Sequence, residues 1–388
     1  MRITHVEIAN WRNFKMIDIP LGKRLFVVGP NASGKSNFLD VFRFLADIAK
    51  PGGGLADAVE SRRGLSFVRS LFARRHRGGR VEITVTLRDE SGGGQEDEWR
   101  YSLAIRGEAK GKNRIFVAKE EVVKNGVVVL SRPDADDQAD DELLTQTHLE
   151  QIRANAKFRA IAEYFQKIHY FHLVLQVVRA APSGGADSFG AGFIAQINST
   201  PKKTREAWLR RITEALKSAV PEFETLEVTV DDTGRPHLSA GYRNWRASPT
   251  VHTEAEFSDG TLRLIGLLWT VVSSPKGGGL ILLEEPELSL NASIVRMIPT
   301  MLATVLRDPG AQIILTTHSP DILNDEGVNP DEVLVVQVGS DGSVGELLGS
   351  NSDPVVKAEI AAGVPLSAVA EPLLSTGDLR GLIGIGRR

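Results

Sequence analysis

An α/β fold is predicted for this 388-residue chain, with a central, mostly parallel sheet, flanking helices and an antiparallel β-subdomain, on three observations. At Leu25–Asp40 an apolar run breaks into a glycine-bounded loop that opens a helix. Later, Leu280–Leu283 and Gln312–Leu315 end abruptly in polar groups, as buried parallel strands do when they deliver side chains at their carboxyl ends. Between these regions, Val81–Leu87 and Trp99–Ile105 alternate apolar and polar residues, the period of antiparallel strands.

Taken in order, Ile3, Val6 and Ile8 alternate with polar neighbours, with His5 less regular in the pattern, and Ile17 and Ile19 form a second apolar pair. With Leu25–Val28, three strands precede the first long helix, which runs to about Ile48 and stops before Pro51-Gly52-Gly53-Gly54. The loop between the third strand and the helix reads G-x-x-x-x-G-K-S, the phosphate-binding pattern in the strand–loop–helix setting it requires. Gly29 and Gly34 let the backbone curl its N–H groups inward. Lys35 supplies a point charge for β- and γ-phosphates, Ser36 a hydroxyl for Mg²⁺, and the helix start a positive dipole end. Asn31, Ser33 and Asn37 complete the candidate cradle.

A hairpin is expected at Ile115–Val123 and Val127–Leu130 around Asn125-Gly126. Arginines crowd Arg62–Arg80 (Arg62, Arg63, Arg69, Arg74, Arg75, Arg77, Arg80), which reads as a contact for DNA or RNA phosphates, as a solvated loop, or as internal pairing with the acidic run Asp134–Glu142. That acidic run reads as a flexible, solvated loop. Leu143–Gln166 has helical spacing, and Ile168–Val178, containing Gln176, reads as an apolar strand. A break at Pro182-Ser183-Gly184-Gly185 is followed by an amphipathic helix at Thr204–Ala219 and strands near Leu226–Val230 and His237–Tyr242.

In the last third, Ser258-Asp259-Gly260 caps an apolar helix, Leu262–Val272, whose first N–H groups can bind an anion. The strand Leu280–Leu283 delivers Glu284 and Glu285, suited to hold Mg²⁺ and to orient and deprotonate a water, respectively. A helix from about Ala292 to Leu306 carries Pro299, expected to kink it. Gln312–Leu315 leads to His318, placed to sense a γ-phosphate, and a last strand, Glu332–Gln337, precedes a tail of little information. The organisation expected is 1–130, an N-terminal lobe with the phosphate loop; 131–256, an inserted helical and β region; 257–340, the second motif cluster; and 341–388, the tail.

Composition narrows the classes. A net charge of −3 carries no global field for nucleic acid or membrane, and the lack of cysteine excludes disulfides and thiolate metal sites. The N-terminus alternates rather than forming a signal-type apolar core, and the apolar runs fall short of the roughly 20 residues a membrane span needs. A soluble cytoplasmic protein is expected.

These motifs resemble those of the ABC-type ATPases that include SMC and RecF proteins and OLD-type nucleases: Walker A GPNASGKS, signature FSDGT, Walker B LILLEEPE, D-loop ELSLN and H-loop TTHSP. The likeness covers most of the chain, closest at Met1–Asp40 and Glu254–Asn324. It implies an ABC-type head with an inserted helical signature subdomain, ATP and Mg²⁺ as cofactors, and a head-to-tail homodimer, or a higher oligomer, that encloses two ATP molecules. By the resemblance Arg12 lies near the nucleotide, Gln176 is the Q-loop glutamine on Mg²⁺, and Ser258 and Gly260 contact the γ-phosphate bound to the opposite copy. Two departures stand out. Glu284 occupies the usual aspartate position, and no Toprim-like pattern follows His318. The favoured expectation is an ATPase that switches a separately encoded effector, such as a Toprim-like nuclease, in bacterial defence or nucleic-acid processing. The alternatives are a RecF-like repair ATPase acting on DNA, a slow or inactive nucleotide-binding scaffold and, against the signature, a transporter subunit.

Overall fold

The computed structural model describes residues 1–71, 79–89, 97–108, 114–180, 190, 192–245, 248–274 and 277–375. The chain folds as two interleaved units. The first comprises Met1–His169, Gly277–Leu282 and Asp308–Arg388; the second comprises Tyr170–Lys276 and Leu283–Arg307.

The strands are β1 (Arg2–Trp11), β2 (Phe14–Pro20), β3 (Arg24–Val28), β4 (Val81–Asp89), β5 (Asp97–Gly107), β6 (Ile115–Lys124), β7 (Val127–Arg132), β8 (His169–Phe171), β9 (Phe223–Val230), β10 (Pro236–Tyr242), β11 (Thr250–Thr253), β12 (Gly279–Glu284), β13 (Ala311–Thr317), β14 (Val333–Gly339) and β15 (Gly342–Leu347). Twelve form one sheet in the order β7-β6-β5-β4-β1-β2-β15-β14-β3-β13-β12-β8. The ladders linking β7, β6, β5, β4, β1 and β2 are antiparallel, whereas β3 runs parallel to both β13 and β14. The antiparallel and parallel parts are therefore halves of one continuous sheet. β3 is apolar and buried from Leu25 to Val28, as a strand covered on both faces must be. The helix Lys35–Ala49 buries Phe38, Leu39, Val41, Phe42, Phe44, Leu45 and Ile48 completely, the apolar stripe that seats it. In the expected hairpin, Asn125 (φ 49°) and Gly126 (φ 80°) make a two-residue connection with both central residues left-handed.

The second unit has its own core. The sheet β11-β10-β9 packs with the helices Lys202–Lys217 and Asp259–Ser273 around Ile212, Leu216, Phe223, Leu238, Ile265 and Trp269.

Several expectations are corrected. The acidic run is solvated, with Asp136, Asp140, Asp141 and Glu142 exposed, but it is no loop: Asp134 caps a helix at Ala135–Ala139 in a capping box, and buried Asp137 pairs with buried Arg132 at 2.6 Å. Nor does that run pair with Arg62, whose partners are Asp40 and Asp47 at 2.8 and 2.9 Å. Arg74, Arg75 and Arg77 lie outside the described residues, as does Pro182–Gly185. Leu143–Gln166 is helical only at Arg159–Gln166, preceded by short 3₁₀ turns at Asp141–Thr145 and Ala154–Lys157. Ile168–Val178 is not one strand; β8 ends at Phe171 and Gln176 lies in the helix Leu175–Ala180. Pro299 does not kink a long helix but starts a new one, Ile298–Ala303, separate from Ala292–Val295, because its missing N–H costs nothing in a first turn. The tail supplies β15 and the helices Pro354–Ala361 and Leu366–Leu374. No helix among the described residues is long and apolar enough to cross a membrane.

Candidate functional site

In the first unit, β3 ends at Val28 and the chain turns through Gly29–Gly34 into the helix Lys35–Ala49. A Cβ on Gly29 would stand 2.2 Å from the Val336 carbonyl oxygen, so only glycine admits this packing of loop on β14. Gly34 sits at φ 109°, the left-handed region, with the Asn13 amide where a side chain would go. The helix start has neither a side-chain cap nor an acidic residue in its first turn, which leaves its N–H groups to an anion. Ser33 is fully buried, and its Oγ has no hydrogen-bond partner, a donor aimed into the loop. Asn31 and Ser36 are exposed.

Lys35 is 5% exposed, and its Nζ donates to the Gly29 and Pro30 carbonyls at 2.8 and 3.0 Å. It also lies 3.1 Å from His318 Nδ1, which must act as acceptor toward an ammonium. His318 follows β13, the parallel neighbour of β3, so the sheet register sets this contact. The loop is braced from below by Asn13, whose Nδ2 donates to the Ser33 carbonyl (2.9 Å) and to Ser343 Oγ (2.6 Å), and by Asn37, whose Nδ2 donates to Asn13 Oδ1 (2.7 Å). Arg12, at φ 48°, donates through Nε and Nη2 to Asp40 Oδ2 at 2.9 and 2.6 Å. Burial opposes ionisation of Asp40, but Arg62, Arg12 and Arg43 together hold its carboxyl below the usual range.

In the second unit, Glu284 closes β12 and accepts a short hydrogen bond from the Tyr170 hydroxyl at Oε2. His172 Nδ1 stands 3.2 Å from that hydroxyl and 3.8 Å from Glu284 Oε2. Glu285 adopts φ 45°, a left-handed conformation costly for a residue with a Cβ, of the kind that collects at functional sites. The signature segment is built by Ser258, whose Oγ accepts from the Thr261 N–H at 3.1 Å and caps the helix Asp259–Ser273. A Cβ on Gly260 would meet the Ser289 carbonyl at 2.8 Å, so the D-loop backbone packs directly on this turn. Arg179 ties the cap down from outside, donating to the Phe257 carbonyl at 2.8 Å and pairing with Asp259 at 2.7 Å. Gln176 is exposed, at the second position of the helix that ends near Arg179.

Residues 25–324 match the family model described as "AAA domain, putative AbiEii toxin, Type IV TA system". The chain belongs to this AAA family. No curated protein sequence matches it. Among solved structures, an SMC head bound to the C-winged helix domain of ScpA is 16% identical, with a TM-score of 0.53 over 90% of this chain and 99% of that one. An SMC head domain from Thermotoga maritima is 16% identical, with a TM-score of 0.45 over 89% and 99%. An Smc head with an extended coiled coil, bound to the C-terminal domain of ScpA and derived from Pyrococcus furiosus, is 14% identical, with a TM-score of 0.49 over 94% and 99%. The first of these carries the fold: this AAA-family chain has the architecture of an SMC head.

Sequence reasoning about the AAA-family chain misses Tyr170, His172 and Arg179. Tyr170 and His172 belong to a run, His169-Tyr170-Phe171-His172, whose polar rings interrupt an otherwise apolar stretch, and that interruption is the signal that could have singled them out.

Proposed function

We propose that the chain binds and hydrolyses ATP with magnesium, pairs head to tail with a second copy, and switches a separately encoded effector in the cytoplasm. The observation that carries the reading is the uncapped helix start behind Gly34, with buried Lys35 and the orphaned Ser33 hydroxyl facing the same loop. Backbone donors, a dipole end and an ammonium are what a triphosphate requires. The donor set also fits the metal: Ser36, Gln176 and Glu284 are oxygen donors, which suit a hard cation.

In this reading Gly29, Asn31, Ser33, Gly34, Asn37 and Arg12 cradle or border the nucleotide, and Lys35 binds its β- and γ-oxygens. Magnesium, when bound, neutralises charge that develops on the phosphates. Glu285 orients and deprotonates the water, His318 reads the γ-phosphate, and Ser258 with Gly260 of the second copy closes over the triphosphate. The effector, a Toprim-like nuclease or another enzyme of a defence or nucleic-acid-processing system, is the output. Direct action on DNA is the lesser reading, since Arg62, the start of the basic stretch, is spent on Asp40 and Asp47 inside the fold.

The test is a pair of variants. Lys35→Ala should abolish binding of a fluorescent ATP analogue, whereas Glu285→Gln should bind ATP, hydrolyse it at least about 100-fold more slowly and sediment as a stable dimer. Wild-type turnover by Glu285→Gln removes the assigned base, and full-speed hydrolysis by a monomer removes the dimer.

A further inference from the structure

The Walker B carboxylate of this chain has a problem of length. Where the resemblance expects aspartate there is Glu284, one methylene longer and with one more rotatable bond, so its carboxylate sweeps a larger volume and loses more freedom when fixed. A longer acid serves the same cation at a higher cost in side-chain freedom unless something holds its end. The second unit supplies that hold. Glu284 is 11% exposed at its side chain, and its Oε2 accepts the hydroxyl of half-buried Tyr170. In that bond the phenol is the donor, and it has only one proton to give. Its oxygen is then the acceptor for His172 Nδ1, 3.2 Å away, which fixes that imidazole with its proton on Nδ1. The two rings meet edge to face, 6.3 Å between centroids and 88° between planes, so each limits the rotation of the other. The result is a directed chain, imidazole N–H to phenol to carboxylate, terminating on one of the roughly four acceptor sites a carboxylate offers.

We infer that Tyr170, supported by His172, is a positioning residue that fixes Glu284 for the magnesium ion, in place of the shorter aspartate. The inference rests on the proposed function, in which Glu284 serves the metal. Neither ring touches the nucleotide in this assignment; both act through Glu284. Partners of this kind orient a ligand without binding the ion, and their loss weakens metal affinity about 10- to 100-fold.

The experiment titrates a fluorescent ATP analogue against the full-length chain, first in EDTA and then with rising Mg²⁺. Tyr170→Phe should leave affinity in EDTA unchanged and raise the Mg²⁺ concentration for half-maximal tightening about tenfold. Adding Glu284→Asp to Tyr170→Phe should bring that concentration back toward wild type, because the shorter acid needs no tether. An unchanged Mg²⁺ requirement in Tyr170→Phe overturns the inference. So does an equal loss of affinity in EDTA, the mark of a merely structural phenol. If Tyr170→Phe does not fold, His172→Phe carries the test: a smaller rise in the Mg²⁺ requirement supports the relay, and none overturns it. A wild-type chain that binds no ATP, or binds it with no response to Mg²⁺, overturns the proposed function instead, and the inference with it.

Discussion

Two buried arginines, one in each unit, are held in opposite ways. Arg62 is 8% exposed and Arg263 is 6% exposed, so both have lost most of their water. Arg62 grips Asp40 through Nε and Nη2 at 2.9 and 2.8 Å, reaches Asp47 and the Ala58 carbonyl through Nη1, and lies over the Phe44 ring at 5.2 Å. Burial works against its charge, and the hydrogen bonds and charges of Asp40 and Asp47 outweigh it, so its pKa rises. Arg263, on the helix Asp259–Ser273, has a buried Nε without a hydrogen-bond partner, and its Nη1 only reaches the Glu285 carbonyl at 3.5 Å. Here burial prevails over the attraction of Glu287, Asp259 and Glu285, and the pKa falls. Burial alone therefore does not identify a stabilising charge; the partner's geometry does.

The largest expected effect is at Arg62. Replacing it by Met leaves Asp40 buried with Arg12 at 2.6 Å and Arg43 at 3.9 Å, and should cost about 3 kcal/mol of unfolding free energy in urea. The same change should move acid unfolding upward in pH. Asp40 has its folded pKa depressed, so its stabilisation is complete above the unfolded value of about 3.8 and is lost as pH falls through the folded one. With Arg62 gone, that loss begins at higher pH. A cost under about 1 kcal/mol would dissolve the contrast between the two arginines.

The contrast also marks what the sequence makes legible. Gly29–Ser36, Glu284-Glu285 and the Asn125-Gly126 hairpin are local patterns, each written within a dozen residues, and the strand–loop–helix and hairpin geometries follow from them. The pairing of Lys35 with His318, 283 positions apart, follows from two apolar strands lying parallel, which their composition announces. The acidic run does not announce itself, because its structure depends on buried Arg132, which joins Asp137 at 2.6 Å to Glu120 at 3.1 Å on another strand. Composition registers the charges but not their partners. Gln176 is misplaced for a different reason: a short apolar run fits a buried strand and a buried helix equally, and here the strand ends at Phe171. Tyr170 meets Glu284 across 114 positions, beyond any local period.

At Arg263 the expected change is smaller and of the opposite kind. Arg263→Met exchanges a poorly bonded buried cation for an apolar side chain of similar length, and the unfolding free energy in urea should stay within about 1 kcal/mol of wild type or rise. A loss as large as that of Arg62→Met would mean that the distant carboxylates hold Arg263 as firmly as contact does, and that hydrogen-bond geometry is not what separates the two.

His237 sharpens the comparison at its weak end. It is a histidine between two acids, with Nδ1 at 2.8 Å from Glu254 and Nε2 at 3.2 Å from Asp231. The hydrogen bond to Glu254 is the main reason its pKa is raised, against partial burial and with help from Asp231, while Arg235 opposes. Stabilisation by a raised histidine is complete below the unfolded value of about 6.5 and is lost as pH climbs through the folded one. Since the ring keeps contact with solvent, the effect should stay below about 1 kcal/mol. His237→Gln should therefore be less stable than wild type near pH 6, and the gap should shrink by about pH 9. A gap that holds constant or widens with pH would assign His237 a neutral packing role. Glu254 would then owe its place to the Leu238 N–H, which it already accepts at 2.9 Å, and only a hydrogen-bonded arginine such as Arg62 would count among the charges that stabilise this fold.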